Sequence, residues 1–128
     1  MKIERIYFES LHIEIPFLIG TSKEDNFDVI DLGDPKKDIW IHARNISSCH
    51  VIAAFSFLEK EQNELPKFSR KEKNKIMKKG AELVKKHTNK LQQEKNVEII
   101  YMPLENIMKT DKIGMVSYTE KCEKIIII

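Results

Sequence analysis

The stretch Asp38-Ile39-Trp40-Ile41-His42-Ala43-Arg44, with His50-Val51-Ile52 close behind it, alternates between two kinds of side chain. In an extended strand successive side chains point to opposite faces. Asp38, Trp40, His42 and Arg44 therefore share one face, and Ile39, Ile41 and Ala43 share the other. The aliphatic face reads as plain core. The other carries a carboxylate, an indole, an imidazole and a guanidinium, groups suited to stacking on bases and contacting phosphates.

Outward from this strand, alternation and β-branched content predict further strands over residues 5–9, 12–18, 28–32 and 49–57, and later over 97–102, 115–118 and 124–128. Turn chemistry separates the early ones at Gly20-Thr21-Ser22, Gly33-Asp34-Pro35 and Asn45-Ile46-Ser47-Ser48. Residues 59–67 are polar and contain Pro66, which reads as a loop ending before a helix. The helix is predicted over 69–94. Ser69 with Glu72 three positions on is a capping-box pattern. Met77, Ala81, Val84, Thr88 and Leu91 recur at spacings of four and three, one stripe turned to the sheet, widened by Ile76 and Leu83. Gly80 beside Ala81 allows close approach to a strand.

The remaining surface of that helix is basic. Residues 67–90 hold ten Lys and Arg (Lys67, Arg70, Lys71, Lys73, Lys75, Lys78, Lys79, Lys85, Lys86, Lys90) against Glu72 and Glu82, a local charge of +8. The whole chain carries only +2, so the rest sums to −6. A lysine-rich face is often just solubilising, but a composition bias toward lysine would scatter the charge. The clustering reads as an electrostatic footprint for phosphates. An anionic membrane surface is the weaker fit, because the apolar stripe has no Trp or Phe and is used against the sheet.

Composition bounds the class. The chain has 128 residues, enough for one domain, 1–128, with its own core, and no linker or repeat divides it. Two distant cysteines, Cys49 and Cys122, give no disulfide framework and suit a reducing compartment. The apolar runs at 15–19 and 125–128 are too short for a secretory h-region or a membrane span. A soluble, cytoplasmic protein is expected. His12, His42, Cys49 and His50 offer zinc-compatible atoms without the tight spacing of a zinc finger. No nucleophile elbow, phosphate-binding loop or paired-carboxylate motif accompanies them, so no metal, cofactor or catalytic residue is expected.

At the Asp-x-Trp-x-His motif the chain resembles the NFACT-R family, the RNA-binding domain of the ribosome-quality-control factors NEMF and RqcH and of smaller stand-alone proteins. The pattern stands here as Asp38-Ile39-Trp40-Ile41-His42 and, after a short turn, His50-Val51-Ile52. Ile19-Gly20 and Asn26 fit the segment upstream, with Phe27 where the family has Asp. Val97-Glu98-Ile99-Ile100-Tyr101, Lys109, Lys112 and Gly114-Met115-Val116 are similar to the downstream pattern. Ser47-Ser48-Cys49 replaces the usual Pro-Gly-Ser of the turn. The resemblance implies a module for RNA, tRNA or ribosomal RNA, in or near translation and ribosome quality control; some stand-alone relatives are associated with DNA.

The expected fold is α+β, two layers, a mostly antiparallel sheet with one long basic helix packed on it. The expected partner is nucleic acid, RNA favoured and DNA allowed, with the ribosome or tRNA as candidates and no membrane. Lys71, Lys75, Lys78, Lys79, Lys85 and Lys86 would attract the phosphate backbone. Asp38, Trp40, His42, Arg44 and His50 would make a more local contact, with Lys109 and Lys112 on a neighbouring loop. Trp40 is equally readable as a core residue, and His42 and His50 as partners that pin the strand pair. Two other readings compete: a protein-interaction domain docking through the Trp40 face, and a hydrolase using His42 and His50.

Overall fold

Residues 39–43 form the strand that their alternation predicts, and it lies in the middle of the sheet. A computed structural model describes all 128 residues. The chain runs as β1 (Lys2–Phe8), β2 (Ile13–Gly20), α1 (Lys23–Leu32), β3 (Ile39–Ala43) and β4 (His50–Ala53). Two helices follow, α2 (Phe55–Gln62) and α3 (Arg70–Lys86). The chain then forms β5 (Glu98–Pro103), β6 (Ile107–Lys109), β7 (Val116–Tyr118) and β8 (Lys124–Ile127). Six strands make one antiparallel sheet in the order β1-β2-β4-β3-β5-β8, and β6 with β7 makes a separate ribbon. No helix is long and apolar enough to cross a membrane.

The α+β architecture with its long basic helix is as the pattern reads. α3 starts where the capping box puts it. The Ser69 hydroxyl accepts from Glu72 N at 3.1 Å, and the Glu72 carboxylate accepts from Ser69 N at 2.7 Å. Ile76, Met77, Gly80, Ala81, Leu83 and Val84 are buried against the sheet. Gly80 allows this close approach, since a Cβ at that position would force the end of the Ile41 side chain to shift. These residues join Ile15, Phe17, Ile41, Val51 and Ile99 in one core.

Four element predictions need correction. Residues 28–32 are the end of α1 and not a strand. The Ser22 hydroxyl caps the helix by accepting from Asp25 N at 3.1 Å, with Glu24 and Asp25 favourably placed in the first turn. The strand over 49–57 stops at Ala53, because Asp38 reaches across to hold Ser56 at the start of α2. That helix takes residues 59–62 from the loop assigned to 59–67 and is capped by Asn63 in the left-handed conformation (φ 60°). The long helix ends at Lys86 and not near 94. Beyond it the Thr88 hydroxyl accepts from Cys49 N at 3.1 Å, tying the chain to β4.

The sheet is also covered on its second face. Leu18, Trp40, Ile52, Ile100 and Met102 pack there with Val29 of α1, Leu104 and Ile107 of β6. A plain two-layer stack would have left this face open to solvent. Burial on both faces encloses β4, most of β2 and the middle of β3, and this decides the fate of the polar residues on β3.

Candidate nucleic-acid interface

At 100° per residue, Lys71, Lys75, Lys78, Lys79, Lys85 and Lys86 fall within an arc of about 120° on α3. The arc is centred opposite the buried stripe. From Lys71 to Lys86 it extends about 22 Å along the helix axis. Only Lys79, paired with Glu82 at 3.5 Å, and Lys86, paired with Glu4 at 3.5 Å, have carboxylate partners among the ten basic residues of 67–90. The other eight are free of ion pairs. Lys75 instead donates to the Ser10 hydroxyl at 3.3 Å. A row of uncompensated ammonium groups on a rigid element attracts a polyanion, and pairing with phosphates releases that polyanion's counterions.

The second predicted group is different. Trp40 is 0% exposed, Asp38 0% and His50 2%, so the reading of an open stacking face is corrected. The physical reason is the covered second face, where Trp40 packs in a core with Leu18, Ile52 and Met102. Its ring stacks on His42 (centroids 5.2 Å, planes 8° apart) and tilts against Tyr118 at 5.6 Å. The indole N–H donates to His50 Nδ1 at 3.0 Å, so the His50 proton sits on Nε2. His42 Nδ1–H donates to the Ala43 carbonyl at 2.7 Å, which leaves its Nε2 as an acceptor. Burial pulls the His42 pKa down to about 4; it pulls His50 to about 3, with the neighbouring His42 charge adding to the effect. Both rings are neutral at pH 7, and they pin β3 to β4.

Asp38 is a structural clamp. Its carboxylate accepts from Asp34 N at 2.7 Å, from Ser56 N at 2.8 Å and from the Ser56 hydroxyl at 2.7 Å. Burial raises its pKa, and these hydrogen bonds work against that rise. One side chain thus holds the turn before β3 and caps α2 from a distance. Arg44 is half-buried between Glu98 at 3.1 Å and Glu123 at 3.3 Å, so its charge is already answered. Lys109 pairs with Asp31 and lies over the Phe27 ring at 5.0 Å from its centroid. Lys112 is exposed in the turn after β6. Both belong to the ribbon over the second face, and the fold does not bring them to the α3 row. Cys49 is buried, and burial pushes its thiol pKa up.

Some candidate residues escaped the sequence reading. Lys67, Arg70 and Lys73, already part of the basic count, border an open groove at the start of α3, and folding brings Lys36, Lys37 and Lys124 alongside them. These positions are far apart in the chain. No local spacing marks them.

A family model described as the NFACT protein RNA binding domain matches residues 5–119. A coiled-coil domain-containing protein 25 homolog of Dictyostelium discoideum is 31% identical over 107 residues, 82% of this chain and 47% of that protein. Coiled-coil domain-containing protein 25 of Mus musculus is 33% identical over 92 residues, 72% of this chain and 40% of that protein. The chain therefore spans less than half the length of these relatives. The C-terminal part of the fibronectin/fibrinogen-binding protein from Streptococcus suis has the same fold, with a TM-score of 0.71 at 20% identity. That match covers 100% of this chain and 45% of the other. Matched from β1 to the end of the β6–β7 ribbon, the chain belongs to the NFACT-R family of RNA-binding domains.

Proposed function

We propose that this chain is a non-catalytic module that binds RNA through the exposed face of α3, acting in the cytoplasm in or near translation, with tRNA or ribosomal RNA as its partner. The observation that carries the reading is the row of six lysines on that face, four of them without a carboxylate partner. The row reads phosphates, which RNA and DNA share; the family description favours RNA. The buried Trp40–His42–His50 cluster keeps the sheet rigid beneath the helix and positions the row.

Two observations weigh against the competing readings. A hydrolase needs a base near neutral pKa or an accessible nucleophile. His42 and His50 are held near 4 and 3, and the Cys49 thiol is buried and pushed up. A partner docking through Trp40 finds no exposed indole.

Fluorescence anisotropy with tRNA, single-stranded RNA and duplex DNA, at about 50 and 200 mM salt, tests the proposal. With five or six phosphates neutralised, the log–log salt slope should be roughly −4.5 to −5.4 on a duplex and roughly −3.5 to −4.2 on a single strand. The expected order places structured RNA first. A slope near zero, or no binding to any of the three at low salt, refutes it.

A further inference from the structure

An open groove of about 900 Å³ lies at the N-terminal end of α3. It is bounded by the loop between α2 and α3, the turn before β3, and the paired ends of β5 and β8. Its size falls in the range of small-molecule sites, roughly 300–1,000 Å³. The floor is apolar and partly aromatic: Phe55, Phe68, Met77 and Tyr101. Phe55 and Phe68 are 5.8 Å apart and tilted by 45°. The rim is cationic, with Lys36, Lys37, Lys67, Arg70, Lys73 and Lys124, and no carboxylate lines the groove. Lys37 alone has an acidic partner, Glu59; the other five are unpaired.

This pattern differs from a solvated helix face. The six cations come from the turn before β3, the α2–α3 loop, α3 and β8, and they surround a floor that is half-buried or buried. Lys124 stands directly opposite Tyr101 in the β5–β8 register, which sets a cation beside the ring. An aromatic floor inside a positive rim is complementary to a flat apolar ring that carries anions at its edge. A duplex keeps its base faces stacked and cannot offer one; a single strand can. An acidic peptide without aromatic side chains satisfies the rim but has no flat ring for the floor.

We infer that this groove receives one unstacked nucleotide of a single-stranded segment, its base on the Phe68 and Tyr101 floor and its flanking phosphates among Lys67, Arg70, Lys73 and Lys124. The inference rests on the RNA-binding reading and adds to it: the α3 row holds the backbone of any nucleic acid, and the groove selects for an accessible base. Lys71 of the row sits next to Arg70 in the chain, so one strand can run from the row into the groove.

The test is an NMR titration of the ¹⁵N-labelled chain with three probes: a nucleoside 5′-monophosphate, ribose 5-phosphate and hexaglutamate. Saturable shifts are expected at the amides of Phe68, Lys73, Tyr101 and Lys124. The nucleotide should bind roughly five- to a hundredfold more tightly than ribose 5-phosphate, the worth of stacking one base. Lys73→Glu/Lys124→Glu, both at exposed positions, should weaken the nucleotide about tenfold or more. Equal affinity for ribose 5-phosphate, preference for hexaglutamate, or shifts confined to residues 71–86 overturns the inference. Lys78→Glu/Lys85→Glu separates the two claims: it should weaken long RNA while leaving the mononucleotide titration unchanged. Mononucleotide binding without any RNA binding would refute the RNA module and spare the groove; RNA binding with no mononucleotide shift in the groove would do the reverse.

Discussion

Replacing Lys78 and Lys85 with alanine removes two charges from the middle of the α3 row. The two lysines are seven residues apart, on the solvent face, with no carboxylate partner. If all six lysines of the row meet phosphates of a duplex, the log–log slope is about −5.4, and affinity falls about 2,000-fold between 50 and 200 mM salt. With four contacts left the slope becomes about −3.6 and the fall about 150-fold. The assay is anisotropy of a labelled duplex RNA across that salt range, with circular dichroism to verify folding. The matched control is Lys23→Ala/Lys121→Ala, which makes the same change in net charge. Lys23 opens α1 over the second face of the sheet, and Lys121 adjoins Cys122, which packs against the core on that face. The control should leave the slope within about one unit of the parent. Should it flatten the slope as much as the α3 pair does, overall charge and not a localised row would govern binding, and the reasoning fails. Glu82 lies within the row and pairs with Lys79, so Glu82→Gln should move affinity upward.

Three further outcomes follow from the packing. The His42 and His50 pKa values are depressed to about 4 and 3 from the ordinary 6.5, so between these limits the unfolded chain binds more protons than the folded one. Stability contributed by the neutral rings is complete above pH 6.5 and is lost as pH falls, at about 2.5 kcal/mol per pH unit near pH 5 for the two rings together. Urea unfolding against pH measures this, and in His50→Gln the contribution to the slope should halve; a flat profile from pH 6.5 to 4 contradicts the buried neutral pair. Asp38→Ala strands two backbone N–H groups and the Ser56 hydroxyl, and should cost about 3–5 kcal/mol in urea unfolding, whereas a loss under about 1 kcal/mol would mean that water replaces the carboxylate. Ser69→Ala removes one half of the capping box and should cost about 1 kcal/mol with RNA affinity nearly unchanged, read from thermal unfolding and anisotropy together.

Much of the fold was legible because its signals are local. The 3.6-residue stripe with Ser69 and Glu72 marked α3, and period-two alternation marked β3, since each depends only on neighbours a few residues away. α1 was misread because Val29-Ile30 is a short β-branched run. Its helical state depends on the Ser22 cap and on packing of Val29 against the sheet, and such short apolar runs are ambiguous between helix and strand. The start of α2 was hidden for a related reason: its cap, Asp38, lies 18 residues upstream.

The amino-acid order by itself determined the basic row, its helix, the central strand and the Asp-x-Trp-x-His resemblance, all patterns of short period. Only the tertiary structure decided which face of that strand meets solvent. Alternation sorts side chains into two faces without saying whether either is open, and here α1 and the β6–β7 ribbon close the one that bears Trp40. The groove depends on tertiary structure in the same way. Lys36, Lys73 and Lys124 are separated by dozens of residues and meet because the strand order sets β8 beside β5 and β5 beside β3, with α3 laid across them.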